Sequence, residues 1–306
     1  VREDLAALSA TEVEPLHAVN LEEIVDAPVA VLARPRWGVL FWCCIGWLGL
    51  LAFGTIFANL LPLKNPTAGI IQGNPINADA SWSHWLGTDE LGRDVFSRLV
   101  YGARISLVIG LAGTAIGFGI GGTLGMLAAY VRGRFDSAMT FFMYCGLAFP
   151  AIIAVLAILE FWGKGESHII IVLGLASVPL IYRLVRSATL GCTTKEYVTA
   201  AKSQGARAPR VVSRDILPNV APSLVSYAIF TFAGIVATEG ALAFLGLSVA
   251  PPTPSWGNMI SEVSQIQAAT YWFIIGPAAA LFLTILTLNY VGERVRSHFD
   301  VGESRL

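Results

Sequence analysis

The sequence predicts an all-α membrane protein, a bundle of six transmembrane helices, and three observations carry that reading. Of 306 residues 55% are hydrophobic and only 13% charged, against roughly 25% charged in an ordinary soluble domain. Stretches without Asp, Glu, Lys or Arg run from Trp37 to Leu63, Ile105 to Val131, Ser137 to Leu159, Ile216 to Thr238 and Val263 to Gly292. Each exceeds the roughly 20 residues that cross a ~30 Å hydrocarbon core as a helix. Lys and Arg are also divided unevenly between the two sides. With the N-terminus inside, the outer segments hold only Lys64, Arg93, Arg98, Arg104 and Lys164, and the other fifteen of the 20 basic residues fall on inner segments or tails. Both termini are therefore expected in the cytoplasm, with the chain in the cytoplasmic membrane. A net charge of −1 supplies no basic field for nucleic acid, so no such partner is expected.

The elements follow in order. Residues 1–36 form an acidic tail with Glu3, Asp4, Glu12, Glu14, Glu22, Glu23 and Asp26; it lacks the basic start of a signal peptide and reads as a loosely held cytoplasmic segment. Residues 37–62 hold the first helix, near 38 to 61, which stays as an anchor. The extracytoplasmic segment 63–103 follows the turn former Pro62, opens with Asn65, Pro66, Gly69, Gly73, Asn74 and Pro75, and gains helical character from Leu91 to Leu99. The core, 104–295, places spans near 105–130, 138–159, 168–190, 222–247 and 271–292, and a cytoplasmic tail 296–306 follows. The fourth span needs its helix to continue from the uncharged run Ser167 to Tyr182 past Arg183. Gly117, Gly119 and Gly122 spell a dinucleotide-type G-x-G-x-x-G, but they lie inside an uncharged run with no strand before them. Gly113, Gly117, Gly121 and Gly125 recur every four residues and predict close helix packing instead. Cys43, Cys44, Cys145 and Cys192, without C-x-x-C spacing, read as small core residues.

The inner loop 191–218 carries the most information. Thr193 with Glu196 three residues on reads as a capping box, and Gly205 is placed to end the resulting helix, about 194 to 204, in a left-handed conformation. Pro209 suits the first turn of a second short helix, which Pro218 should stop. On the first helix Tyr197, Val198 and Ala201 share an apolar sector, and Ala200 and Ala201 are small enough for another protein's surface to approach. Periodicity alone fits a membrane-surface helix joining two spans equally well.

Particular residues shift that balance. Glu196, Ala200, Ala201, Gly205, Leu217 and Pro218 resemble the EAA loop of permease subunits in ABC importers. The run His84 to Asp89, then Leu91-Gly92-Arg93-Asp94-Val95, Arg98 and Gly102 to Ser106, resembles the outer segment of the dipeptide and oligopeptide permease subgroup. Thr238-Glu239, Phe244 to Leu247, and Pro251-Pro252-Thr253-Pro254-Ser255-Trp256-Gly257-Asn258 resemble its fifth helix and a stiffened second outer loop. Together these cover most of residues 80 to 260. Asp215 stands where the family often has Ile, and the acidic tail has no counterpart.

The resemblance implies a type I ABC importer (MetI-like) permease bundle that forms the translocation path with a second, non-identical permease. Two ATPase subunits would hold ATP and Mg and grip the inner loop through Glu196, Tyr197, Ala200, Ala201, Gly205 and Arg207. An extracytoplasmic substrate-binding protein would deliver di- or oligopeptides, or another cargo such as a nickel chelate or haem, to outer surfaces that include Asp89, Arg93, Asp94 and Arg98. The chain itself is no enzyme and binds no cofactor or metal: no G-x-x-x-x-G-K-[ST] phosphate loop occurs. Glu239, midway through the fifth span, must face protein or water. It reads as a path-lining or gate carboxylate, or as a buried hydrogen-bonding group, and the second reading is preferred. An ion-coupled secondary transporter is the alternative class, with Glu239 its one candidate coupling group. An intramembrane serine protease is excluded by the lack of G-x-S-x-G and by histidines 17, 84 and 298 falling outside the expected spans, with His168 at the very edge of one.

Overall fold

An uncharged chain in lipid can satisfy its backbone polar groups only internally, and helices do this within one segment. The computed structural model describes residues 38–69, 73–264 and 272–303, and among them there are helices and no strand. The acidic tail lies outside the described residues. Helix α1 is Val39–Ile56. Helix α2, Val95–Val131, runs 37 residues through a π-helical turn at Phe118–Gly122. The pair α3 (Gly133–Ala148) and α4 (Ala151–Trp162) follows, then α5 (Glu166–Thr193) and the short α6 (Glu196–Ser203). Helix α7, Ala208–Phe244, again runs 37 residues, with a π-helical stretch at Val211–Ile216. Helices α8 (Trp256–Ser264) and α9 (Trp272–Glu303) complete the chain.

Five of these helices are long and apolar enough to cross a membrane, and the pair α3–α4 makes a sixth span if its halves are counted together. The third span is thus not the single helix expected over 138–159: its halves meet at 82°. Proline is the cause. The ring of Pro150 pushes the preceding residue out of the helical region, and Phe149 is extended at φ −88°, ψ 133°. A second correction concerns Pro218, which does not stop a short helix. The chain runs unbroken from Ala208 into the span, because the wider π turns at Val211–Ile216 give the Pro218 ring room where a regular helix would clash. Helix α2 likewise starts at Val95, ahead of the expected 105, and α9 continues past 292.

Helices α2, α5 and α7 form the centre. Their shared core holds Ile109, Ile169, Val172, Leu173, Ile235 and Leu242, with Val155 and Leu159 of α4 added. The four-residue glycine repeat lets α2 lie against α5: a Cβ at Gly121 would stand 2.6 Å from the Val178 carbonyl oxygen, and one at Gly125 would stand 2.6 Å from that of Tyr182. Helix α1 packs on α9 through Phe41, Cys44 and Val291. The cysteine reading holds only in part, since Cys43 and Cys145 are exposed on this chain and only Cys44 is buried. Val95 and Val131 cap opposite ends of α2, about 55 Å apart at the helical rise. The bundle therefore has one end carrying α8 and the segment before α2, and another carrying α6.

Candidate functional site

At the α6 end the expected capping box does not form. Lys195 is the N-cap residue and makes no side-chain cap bond. Thr193 instead closes α5, its hydroxyl donating to the Leu190 carbonyl at 2.9 Å. The stop signal does behave as expected. Gly205 sits at φ +77°, its N–H donates to Lys202 O at 3.0 Å, and the Ala206 N–H donates to Ala201 O at 3.1 Å. This is the paired Schellman closure, in which a glycine occupies the left-handed position without steric penalty.

Helix α6 is seated by its apolar side. Val198 is fully buried among Val211, Ile216 and Val220 of α7, and Ala201 packs on the same cluster with Met126 and Tyr130 of α2. Glu196, Tyr197, Ala200, Gly205 and Arg207 are all exposed. The expected apolar sector is therefore split: Val198 and Ala201 hold the helix to the bundle, while Tyr197 turns outward beside Glu196 and Ala200.

At the α8 end the charged residues form two neighbouring sets. Asp94 is the N-cap of α2 and accepts the Ser97 N–H at 2.8 Å. Its other oxygen lies 3.0 Å from His84 Nδ1, and Lys64 Nζ lies 3.1 Å from His84 Nε2. Arg93 Nε donates to Asp89 Oδ2 at 2.7 Å, and the Nη2 atoms of Arg93 and Arg98 both donate to Glu262 Oε2 at 2.7 Å. Asp89, Arg93 and Arg98 are thus gathered about Glu262 of α8, a residue the sequence reading did not single out. Two arginines five residues apart at an outer helix start call for a shared counter-ion, and that was the available signal. Arg98 is 1% exposed, so its charge stays paired because leaving it alone in the interior is costly.

Glu239 lies fully buried on α7. The hydroxyl of Ser106 donates to one carboxyl oxygen at 3.0 Å, that of Ser248 to the other at 2.7 Å, and Ser255 adds a third bond. Ser255 in turn accepts the Asn258 N–H at the start of α8. Trp256, with no exposed surface, donates its indole N–H to Leu99 O at 3.0 Å. Glu239 therefore ties α2, α7 and the loop before α8 into one joint.

Comparison with known proteins accords with this architecture. The family described as "Binding-protein-dependent transport system inner membrane component" matches residues 121–302. The chain is 36% identical over 225 residues to the glutathione transport system permease protein GsiD of Pectobacterium atrosepticum, covering 74% of this chain and 75% of that one. It is 34% identical over 247 residues to the dipeptide transport system permease protein DppC of Alkalihalophilus pseudofirmus, covering 80% of each. Among solved structures, an inward-facing crystal form of the MetNI methionine ABC transporter aligns with TM-score 0.57 at 21% identity, over 66% of this chain and 97% of that one. At that identity the likeness speaks for the fold alone.

Proposed function

From the premise that the chain belongs to the binding-protein-dependent transport system inner membrane components, and is a permease subunit of an ABC importer, we propose that it carries peptides and is driven through α6. The observation that bears most weight is the two-sided seating of α6. Val198 and Ala201 fix it to the bundle, and Glu196, Tyr197, Ala200, Gly205 and Arg207 are exposed, where a groove on an ATPase subunit would receive them. Two such ATPases would hold ATP and Mg, and their closure would push α6 and tilt the helices it sits on. The only energetic requirement is that ATP-bound and ATP-free states contact this face differently. The path would form against a second, non-identical permease, and a binding protein would deliver cargo at the α8 end, where Asp89, Arg93, Asp94 and Arg98 build a firm landing. In this reading the α6 end and both chain termini are cytoplasmic, and the segments follow the division 1–36, 37–62, 63–103, 104–295 and 296–306.

The relatives transport glutathione and dipeptides by name, which makes a short peptide the first cargo to test against a nickel chelate or haem. The three serines around Glu239 weigh against ion coupling, because they hold its carboxyl group in a structural joint. Glu239 then acts on the path only by fixing α2 to α7. The test is uptake of labelled glutathione and of a dipeptide by vesicles containing the complex isolated through a tag on this chain. Glu196→Lys and Gly205→Pro should leave insertion intact and ATP hydrolysis running while uptake falls to background. Uptake at the normal level in both variants, or uptake that follows a proton gradient without ATP, would overturn the assignment.

A further inference from the structure

The corner between α2 and α3 holds a backbone geometry that its sequence does not favour. Arg132 lies at φ +58°, ψ −163°, a region that suits glycine, and the glycine next to it, Gly133, takes φ +65°. Such a residue persists where its surroundings over-determine it. Here the surroundings are the end of α5 that leads into α6 and the last turn of α6 itself. Arg132 Nη2 donates to Thr193 Oγ1 at 2.9 Å, two residues before the N-cap of α6. Two residues back along α2, the Tyr130 ring receives Lys202 Nζ at 5.0 Å from its centroid, in the last turn of α6. Tyr130 also packs on the cluster that buries Val198.

The far side of the corner is fastened differently. Asp136, in the first turn of α3, accepts Arg186 Nε at 2.6 Å and Nη2 at 2.7 Å from α5, and the Thr140 and Tyr182 hydroxyls meet at 3.0 Å. None of the sixteen residues of α3 is buried, so this polar attachment near the corner is its pivot. By the helical rise, Arg132 stands about 6 Å from Asp136 on one side and Ala148 about 18 Å on the other. A small displacement of the corner is enlarged about threefold at the break before α4.

Resting on the reading of α6 as the coupling helix, we propose that the α2–α3 corner is a clasp: Tyr130 and Arg132 are positioning residues that hold the last turn of α6 and the end of α5 that leads into it, and pass the displacement of α6 into the bent span α3–α4. From its positive-φ backbone Arg132 bonds Thr193, a contact that a glycine at this position would lack. The clasp makes the bent span a driven element of the transport cycle.

Cys145, exposed on α3 beyond the pivot, supplies the readout. Cys43→Ser, Cys44→Ala and Cys192→Ala leave it as the only thiol of this chain, whose labelling is read on the separated subunit, and the tagged complex from native membranes is placed in nanodiscs. The rate of Cys145 alkylation by N-ethylmaleimide is measured with and without MgATP and vanadate. With Arg132 and Tyr130 in place, ATP and vanadate should change the rate by about fivefold, within the usual range of coupling between sites. Arg132→Gly, which relieves the backbone and removes the guanidinium, should abolish the change while leaving the ATP-free rate as it was. Tyr130→Leu should do the same, and Tyr130→Phe should retain the response. A full response in Arg132→Gly and Tyr130→Leu, or no response at all in a complex that hydrolyses ATP, overturns the clasp and leaves the importer reading standing. A purified complex without ATPase activity overturns the importer reading, and the clasp with it.

Discussion

The two ends of the bundle solve opposite problems with charged residues. At the α8 end Asp89, Arg93, Arg98 and Glu262 pair with one another, and His84, Asp94 and Lys64 form a second set beside them. At the α6 end Glu196, Arg207 and Arg210 point away from the bundle, and burial is confined to Val198 and its neighbours. At one end charge is met within this chain, and at the other it lies on the exposed surface around an apolar plug.

The sharpest way to break the comparison is Arg98→Ala. It removes a buried cation that shares Glu262 with Arg93, and breaking a buried pair on one side costs about 3–5 kcal/mol. The thermal midpoint of the detergent-solubilised chain should fall accordingly. Glu239→Ala comes next. It strands the hydroxyls of Ser106, Ser248 and Ser255 in a closed joint, and unsatisfied buried groups cost about 1–3 kcal/mol each, partly recovered as the hydroxyls turn to nearby carbonyls. A net loss of about 3 kcal/mol is expected, and Glu239→Gln, which keeps shape and acceptor, should cost less than about 1 kcal/mol. Transport that survives Glu239→Gln at normal rate would sharpen its structural role, and transport abolished in a fully stable variant would return it to the path. Val198→Ala removes about two methylene equivalents from the seat of α6, or about 2 kcal/mol. Its mark should be faster proteolysis and hydrogen exchange in 195–206 before the bundle as a whole is affected. Glu196→Lys stands last, with a stability change within about 0.5 kcal/mol and the entire effect in uptake. A melting shift for Glu196→Lys as large as for Arg98→Ala would erase the contrast between the ends.

Much of this was legible in order along the chain. The uncharged runs located the spanning helices because hydrocarbon excludes charge regardless of what packs where. The glycine repeat on α2 announced a close helix contact, since small residues every fourth position line one face, and the structure supplied α5 as the partner. Gly205 announced the end of α6, because only a residue without Cβ takes that turn freely. Other signals were local and were overruled. Thr193 and Glu196 had capping-box spacing, but the hydroxyl was committed to the last turn of α5 and to Arg132. Pro218 read as a stop, but widened turns absorbed it. Pro150 lay in plain view inside an uncharged run that length alone read as one span.

Composition and spacing by themselves therefore determined that the chain enters a membrane, roughly where it crosses, and where the short helix α6 ends. The tertiary structure alone decided that Glu262 serves Arg93 and Arg98 from 164 or more residues away, that three serines close on Glu239, and that a strained arginine reaches the end of α5. The reason is physical. Exclusion of charge from lipid and the backbone freedom of glycine act on each residue where it stands, whereas a hydrogen bond or ion pair exists only once folding has brought distant stretches within about 3 Å.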